Sequence, residues 1–383
     1  MKLRFLESET GRRVRRALAD TPDMMLVGGA VRDALLDVDP VNLDLWAHDP
    51  AAARAALGME FGAPHAGATR WDAFRWDHLP LPLRLDSGSR DLEANLRSRD
   101  FTVNAMALPL RGAAEVRLVD PLHGALDVAD RRLRPVVSNS CEVDPTRWLR
   151  AGRLAATRNL RTDISLKMAA ERARARQPLL HGVSTLVRRS ELLAALSCPH
   201  RAEGLRWMHE VGLLGELVAP WAELAARRDP DLGGRAPDEF SIACVDALHH
   251  ERWAAVLEPA LLQAICRRLD EPVAAGLGGW TLTALALWLR RLAPVADVAA
   301  DLGTLALHGL GFPFEELRAV SRLVLARNWL DQPGPLGPGG LEAHAAVADL
   351  CVREALHGVD SPQLREAGEC ACRELPAYLP PAA

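Results

Sequence analysis

The sequence contains almost no lysine. Of the 46 basic residues among its 383 positions, Lys2 and Lys167 are lysines and the other 44 are arginines. Together with abundant alanine and leucine, this bias is typical of a GC-rich genome, so the identity of an arginine is not by itself evidence for a phosphate site. The seven cysteines include no Cys-x-x-Cys pair, which argues against a zinc ribbon, and their odd number argues against a disulfide framework.

Long apolar segments are also missing. No run of about 18 apolar residues occurs, so no transmembrane helix is predicted. Residues 1–7 lack the apolar stretch of a signal peptide. With 49% hydrophobic and 25% charged residues, the composition is that of a globular protein, for which we expect a cytoplasmic location. The chain exceeds the size at which one hydrophobic core keeps growing, so two or more domains are expected.

Basic residues are concentrated in the middle of the chain. Residues 131–210 contain 16 Lys or Arg against 7 Asp or Glu, a local net charge of +9 in a chain whose total is −4. Such a segment is typical of proteins that bind the phosphate backbone of nucleic acids. An arginine-rich helical surface facing solvent would carry the same charge, so the pattern alone leaves both interpretations open.

Two kinds of hydrophobic pattern divide the chain. In its first part, short apolar runs and turn signals predict strands over 24–27 and within 71–86, and helices over 30–36 and 51–57. From Asp144 onward, long Ala, Leu and Arg stretches broken by Pro and Gly predict helices. We therefore predict an α+β protein with a small α/β head followed by a long all-helical remainder.

The segment Leu-Val-Gly-Gly-Ala-Val-Arg-Asp at 26–33 joins the first predicted strand to the first predicted helix. At such a turn, Gly28 and Gly29 can bring backbone N–H groups and the positive end of a helix close to a phosphate. Arg32 can contact the same phosphate or form a salt bridge with a nearby acid. The segment thus predicts a phosphate-binding turn.

A pair of oxygen ligands follows this turn. Polar and apolar residues alternate there, which predicts that Asn42 and Asp44 point to the same side of a strand. Two such side chains can share metal ions that assist phosphoryl transfer, although an amide is uncharged and binds Mg²⁺ more weakly than a carboxylate. Asp86, on a later predicted strand, is the nearest further acid. Because a shift of one residue reverses the facing of a strand, the side to which Asp86 points stays open.

Two later segments combine an acid with arginines. In Leu-Arg-Ser-Arg-Asp-Phe-Thr-Val-Asn-Ala at 96–105, Arg99 is a bidentate donor and Asp100 an acceptor, which either contact a nucleotide or form an internal ion pair. Farther on, Asp144 and Arg147 can complement the amino group and ring nitrogen of cytosine or adenine. Asp144 precedes a proline and is equally suited to cap a helix.

In their order and spacing, these segments resemble the class II tRNA nucleotidyltransferases and bacterial poly(A) polymerases over residues 24–220. The resemblance implies a polymerase-β-like nucleotidyltransferase head that binds CTP or ATP, Mg²⁺ or Mn²⁺, and an RNA 3′ end, with tRNA as the expected RNA. It assigns catalysis to Asp44 and Asn42, and metal binding to Asp44, Asn42 and Asp86. It assigns nucleotide binding to Gly28, Gly29, Arg32, Arg99, Asp100, Asp144, Arg147, Arg150 and Arg153.

Several positions depart from the family pattern. Asn42 stands where the family has the first Asp of an Asp-x-Asp site, and Val143 stands where it usually has Glu. Leu186 and Val187 replace a charged pair, and Glu-Pro at 258–259 replaces the His-Asp pair of a hydrolase-like stretch. Two hypotheses follow: an RNA nucleotidyltransferase that adds C or A with a weakened metal site, or a nucleotide- and RNA-binding homologue with impaired catalysis.

The predicted domain organisation has four parts, and the sequence does not indicate an oligomeric state. The parts are a nucleotidyltransferase head at 1–136, a helical neck and RNA-binding region at 137–225, a helical body with degenerate HD-like features at 226–332, and a helical tail at 333–383 after a Pro/Gly-rich linker.

Overall fold

The chain forms two units. The computed structural model describes residues 7–66, 72–86, 91–110, 117–228, 236–248, 263, 266, 269–270, 272–274 and 277–325. The first unit comprises Met1–Arg147 and Leu160–Arg172, and the second comprises Trp148–Asn159 and Ala173–Ala383. The predicted tail at 333–383 and the hydrolase-like stretch at 252–259 lie outside the described residues, and the four-part domain organisation remains a prediction.

A six-stranded sheet forms the core of the first unit, with the strand order β3-β4-β5-β2-β1-β6. The strands are β1 (Met24–Val27), β2 (Leu43–Ala47), β3 (His65–Ala66), β4 (Asp72–Trp76), β5 (Leu83–Asp86) and β6 (Ala107–Pro109). β1 is antiparallel to β2 and β6, whereas β2 and β5 are parallel. The register opposes Trp46 to Asp86. Because Asp44 and Trp46 alternate on one strand, Asp44 and Asp86 share a face of the sheet.

Helices accompany the sheet in the first unit. They are α1 (Glu9–Ala17), α2 (Gly29–Leu35), α3 (Pro50–Phe61), α4 (Leu92–Arg97), α5 (Gly124–Ala129) and α6 (Ser140–Val143), while α7 (Thr146–Arg158) and α8 (Ile164–Arg174) run through the division between the units. Leu96 of α4 belongs to a buried cluster with Met25, Val27 and Trp46. This packing fixes α4 against the face of the sheet that carries Asp44.

The elements predicted for the head are present, with small shifts at their ends. The strand at Met24–Val27 is as predicted, and the first predicted helix begins one residue earlier, at Gly29. The second helix is longer than predicted and spans Pro50–Phe61. Asp49 starts it by accepting the N–H groups of the first turn, and Gly62, with a φ of 83°, ends it.

The second unit is mostly helical. Its helices are α9 (Thr185–Leu196), α10 (Arg201–Glu210), α11 (Leu213–Leu217), α12 (Pro237–Ala247), α13 (Gly279–Leu289), α14 (Ala296–Gly309) and α15 (Phe314–Leu325), with a 3₁₀ segment at Ala219–Ala226. The breaks predicted at 292–294 and 311–313 fall between the last three helices. In the part of the chain that the structure describes, no helix is long and apolar enough to cross a membrane.

The prediction of an all-helical remainder was wrong in two short segments. Strand β8 (Arg161–Thr162) pairs with β7 (Arg132–Leu133), and β9 (Pro272–Ala274) pairs with β10 (Leu277–Gly278). At β8 the cause is local. Asn159 takes a left-handed φ of 51° that ends α7, and Asp163 accepts the N–H of Ser165 at the start of α8. The residues between these two signals are left extended.

Candidate active site

The turn after β1 is the centre of the candidate site. Gly28 has a φ of 74° there, in the left-handed region that favours glycine. A Cβ on Gly28 would collide with the guanidinium of Arg99 and would lie 3.3 Å from Oδ2 of Asp44. The missing side chain therefore lets both groups approach the turn. The N–H of Gly28 donates to the carbonyl of Met106 (3.2 Å), and the binding of a phosphate at this turn remains a prediction.

Asn42 and Asp44 are neighbours at the start of β2. Asn42 immediately precedes the strand, and its Nδ2 donates to Oδ1 of Asp44 at 2.5 Å. Both residues are half-buried. The predicted proximity of the two side chains is confirmed. The contact joins an amide to a carboxylate, so Asn42 stabilises the charge of Asp44 and adds none of its own.

Asp86 is linked to the turn through other side chains. Its Oδ2 accepts a hydrogen bond from Nδ2 of Asn95 (2.8 Å) and lies 3.4 Å from Nη2 of Arg99. It shares the sheet face of Asp44, which settles the question of its facing that the sequence left open. Whether Asp86 binds metal remains a prediction.

Arg99 is held along one edge of its guanidinium. Nε and Nη2 donate to Oδ1 of Asn95 at 3.2 and 3.1 Å. Nη1 is the atom closest to Gly28, and it forms no hydrogen bond with the residues that the structure describes. Arg99 thus presents an N–H donor at the turn, where a phosphate would complete its hydrogen bonding.

Asp100 and Arg32 form internal contacts. Oδ1 of Asp100 accepts from the N–H of Phe101 (2.8 Å) and from Nδ2 of Asn104 (2.9 Å). Arg32 is only 5% exposed, lies 2.7 Å from Oδ1 of Asp33, and donates from Nη1 to Oδ1 of Asn104 (2.5 Å). Of the two roles considered for Arg32, the structure shows the salt bridge.

Asp144 and Arg147 meet at the start of α7. Oδ1 of Asp144 accepts from the N–H and the hydroxyl of Thr146 (3.1 and 2.6 Å), and Oδ2 lies 3.5 Å from Nε of Arg147. Asp144 therefore caps the helix with one oxygen and pairs with the arginine through the other. Arg147 is buried and donates to Oγ of Ser140 (2.5 Å) and to the carbonyl of Ser98 (3.1 Å). Its guanidinium is held in one place.

Arg150 and Arg153 lie in the second unit, where both face one acid. Nε of Arg153 donates to Oε2 of Glu191 at 2.7 Å, and Nε of Arg150 lies 4.0 Å from Oε1 of the same residue. Their predicted contact with a nucleotide remains a prediction, and it would compete with these ion pairs.

Sequence reasoning missed two residues that orient the site. Asn95 joins Arg99 to Asp86, and Ser140 accepts from Arg147 while donating to the carbonyl of Asp100 (3.0 Å). The spacing of Asn95, four residues before Arg99, was an available signal. No comparable signal marked Ser140, because its contacts depend on tertiary packing.

The donors at the turn fit a Mg²⁺ or Mn²⁺ site with one carboxylate at its centre. Oδ2 of Asp44 lies outside the bond to Asn42, and proteins commonly hold Mg²⁺ with one or two carboxylates plus substrate phosphates. Asn42 would offer its oxygen only after its amide turned, since its nitrogen faces Asp44. Among the described residues, no three His, Cys, Asp or Glu side chains form a metal-binding group by themselves.

Comparisons with known proteins show which proteins this chain is similar to. Residues 24–134 match the poly A polymerase head domain family. An A-adding tRNA nucleotidyltransferase of Deinococcus radiodurans is 35% identical, with 62% of this chain and 56% of the relative covered. A CC-adding tRNA nucleotidyltransferase of the same organism is 38% identical, with 37% of this chain and 42% of the relative covered. A crystal structure of the Bacillus stearothermophilus CCA-adding enzyme in complex with CTP is 20% identical, with a TM-score of 0.60. The match covers 95% of this chain and 81% of that structure's chain.

These similarities support different statements. The chain spans about half the length of the curated relatives it matches, so their activities and substrates are not transferred to it directly. At 20% identity, the likeness to the solved structure concerns the fold. The predicted fold class, an α/β head followed by a long helical remainder, is confirmed as a mixed-sheet head with a mostly helical remainder.

Proposed function

We propose that this chain, which resembles tRNA nucleotidyltransferases over its head and part of its helical remainder, adds C, A or both, without a template, to the 3′ end of an RNA, and that this RNA is tRNA. The observation that carries the proposal is the convergence of Gly28, Asp44 and Arg99 at one turn. The carboxylate suits a divalent cation, and the guanidinium suits a phosphate. A nucleoside triphosphate with its metal ion needs both.

The phosphates of the nucleotide are placed at the turn, where Nη1 of Arg99 donates to them. When bound, a Mg²⁺ or Mn²⁺ ion offsets charge on the leaving pyrophosphate and activates the 3′-hydroxyl of the RNA. Asp44 would hold this ion, with Asn42 and Asp86 as further ligands. Asp100 would accept from the ribose, while its bond to Asn104 keeps the segment after Arg99 in place.

The base is selected by Asp144 and Arg147 in this proposal. Oδ2 of Asp144 would accept from the amino group of cytosine or adenine, since Oδ1 is used for the helix cap. Nη2 of Arg147 has a second N–H beyond the one donated to Ser98, which suits the ring nitrogen beside that amino group. Uracil and guanine present the opposite pattern of donors and acceptors and would be rejected.

A second function has a specific observation in its favour. A neutral amide, Asn42, occupies the first ligand position and binds Asp44 through its nitrogen. Val143, next to Asp144, is 73% exposed, so no core requires its apolar side chain. Replacements of this kind at functional positions favour a nucleotide- and RNA-binding homologue with impaired catalysis.

The test is the incorporation of labelled CTP or ATP into tRNA in the presence of Mg²⁺ or Mn²⁺. We expect the protein to incorporate label above the level of its Asp44→Asn variant, which removes the remaining carboxylate without changing its shape. We expect Asn42→Asp to raise the rate about 100-fold, because a second charged ligand stabilises the charge that develops in the transition state.

Three results separate the two functions. Incorporation by the unaltered protein establishes the transferase. Incorporation only by Asn42→Asp identifies Asn42 as the sole lesion. If neither protein incorporates label although both bind nucleotide, the binding homologue is the correct function.

The proposal also covers the RNA and the location. The predicted neck and RNA-binding region at 137–225 would contact the phosphate backbone of the RNA, and the chain would act in the cytoplasm. A binding constant for tRNA that falls steeply with salt is the expected signature of such contacts.

A further inference from the structure

We propose that Asn95 is a positioning residue that aims Arg99 at the phosphates of the bound nucleotide. This inference rests on the proposed function, because it takes the turn at Gly28 as the place where phosphates bind. Asn95 lies on α4 and is 1% exposed, so it acts through Arg99 and touches no substrate.

The orientation of the Asn95 amide is set by its two partners. Oδ1 accepts from Nε and Nη2 of Arg99 (3.2 and 3.1 Å), and Nδ2 donates to Oδ2 of Asp86 (2.8 Å). With the amide reversed, its N–H groups would face a cation and its oxygen would face a carboxylate. Only one orientation therefore satisfies both neighbours, and the side chain is fixed at both ends.

This anchoring decides which edge of the guanidinium is available. Both bonds to Asn95 use the edge formed by Nε and Nη2, so Nη1 is the atom that reaches Gly28. The local backbone supports the same geometry. α4 ends at Arg97, and the N–H of Ser98 donates to the carbonyl of Asn95 (3.1 Å), which fixes the start of the segment that carries Arg99.

Asn95 also limits the competition from Asp86. That carboxylate lies 3.4 Å from Nη2 of Arg99, a longer contact than its 2.8 Å bond to Asn95. Without the amide, Arg99 would keep Asp86 as its partner and would turn its charge toward the acid. Asn95 thus keeps Arg99 available as a phosphate donor instead of a counterion for Asp86.

The direct test is nucleotide binding to the full chain by titration calorimetry, with ATP and CTP as probes. Asn95→Ala should raise Kd about tenfold, since the donor edge is no longer held. In the incorporation assay, KM should rise with Kd. At saturating nucleotide, kcat should change by less than about twofold, because the lost interaction stabilises the ground state and the transition state equally. Asn95→Asp keeps an acceptor for Arg99 but sets a second carboxylate against Asp86, so its melting temperature should fall while its Kd stays within about threefold of the unaltered protein.

A double-mutant cycle separates positioning from a general structural role. If Asn95 acts through Arg99, adding Asn95→Ala to Arg99→Ala should leave Kd unchanged. Trp76→Phe is the matched control, because it removes another partly buried hydrogen bond of a residue in the same sheet, from Nε1 to the carbonyl of Gly62 (2.9 Å). We expect this control to lower the melting temperature and to leave Kd as it was.

Several outcomes would overturn the inference. One is an unchanged Kd for Asn95→Ala. Another is a tenfold loss of nucleotide affinity from Asn95→Ala that persists in the Arg99→Ala background. A third is an equal loss of nucleotide affinity in Trp76→Phe. If Asn95→Ala does not fold, Asn95→Asp decides the matter, since an affinity as low as that of Arg99→Ala would exclude the acceptor role. A protein that binds nucleotide but incorporates none would refute the proposed catalysis and leave Asn95 in its role.

Discussion

Restoring a carboxylate at position 42 should destabilise the protein without metal and stabilise it with metal. In Asn42→Asp, the 2.5 Å bond from the amide to Asp44 is lost and two carboxylates face each other. A hydrogen bond to a charged group contributes about 1.5–3 kcal/mol. Like charges 4 Å apart repel by about 4 kcal/mol at an effective dielectric constant of 20, and by less where water reaches them, as it does here.

We therefore expect the free energy of unfolding of Asn42→Asp in EDTA to be about 2–4 kcal/mol lower than that of the unaltered protein. Mg²⁺ should reverse the order. A ligand at 100 times its Kd stabilises the folded state by about 2.7 kcal/mol, and the second carboxylate lowers Kd for the ion. The variant should thus recover most of its lost stability at Mg²⁺ concentrations that barely affect the unaltered protein.

The assay is thermal unfolding across a series of Mg²⁺ concentrations. Asn42→Ala is the matched control, because it loses the hydrogen bond without adding a charge. It should be destabilised at every Mg²⁺ concentration by a similar amount. The reasoning is refuted if Asn42→Asp is as stable as the unaltered protein in EDTA, or if its melting temperature responds to Mg²⁺ no more than that of Asn42→Ala.

Three further predictions address other contacts. Arg32→Met removes the salt bridge to the buried Asp33, so urea denaturation should show a free energy of unfolding about 3–5 kcal/mol lower; a decrease under about 1 kcal/mol would mean that the salt bridge is not structural. Ser140→Ala frees Arg147, so the preference of kcat/KM for CTP and ATP over UTP should fall several-fold; an unchanged ratio would show that the serine does not orient the base reader. Burial raises the pKa of Cys198 to about 11, so iodoacetamide at pH 8 should modify this thiol only after unfolding, as peptide mapping would show. The same shift stabilises the fold below the thiol's ordinary pKa of 9.0, and this contribution is lost as pH rises toward 11, so Cys198→Ser should flatten the decline in stability over that range.

Local sequence patterns identified most of the head. The strand before Gly28 and the helix after it follow from a short apolar run and a glycine pair, which are local signals. The ends of Pro50–Phe61 follow from a capping aspartate and a terminal glycine, which the sequence also shows. The strand at Arg161–Thr162 was missed, because its partner lies 29 residues earlier and no pattern within the segment indicates that pairing.

The candidate site was harder to read, because its geometry depends on pairing between distant segments. The facing of Asp86 is set by its register with Trp46 on a parallel strand, and the sequence around Asp86 does not contain that register. Arg32 illustrates the reverse case. Its motif left a phosphate contact and a salt bridge open, and the structure shows the salt bridge with Asp33, while its contact with a nucleotide remains a prediction. Residue identity limited the possible roles, and packing chose among them.

The two acids of the site are each bonded to an asparagine, and this arrangement separates nucleotide binding from turnover. Asn42 donates to Asp44 at 2.5 Å, and Asn95 donates to Asp86 at 2.8 Å. Hydrogen bonds from these amides stabilise carboxylate charge, and the Arg99 guanidinium lies 3.4 Å from Asp86, so both acids are compensated before any divalent ion arrives. Arg99 meanwhile keeps a donor at the turn for phosphate. Such a site should bind the nucleotide through its arginine at full strength and hold the ion needed for transfer only weakly, so nucleotide affinity should be much less sensitive to Mg²⁺ than the rate of incorporation.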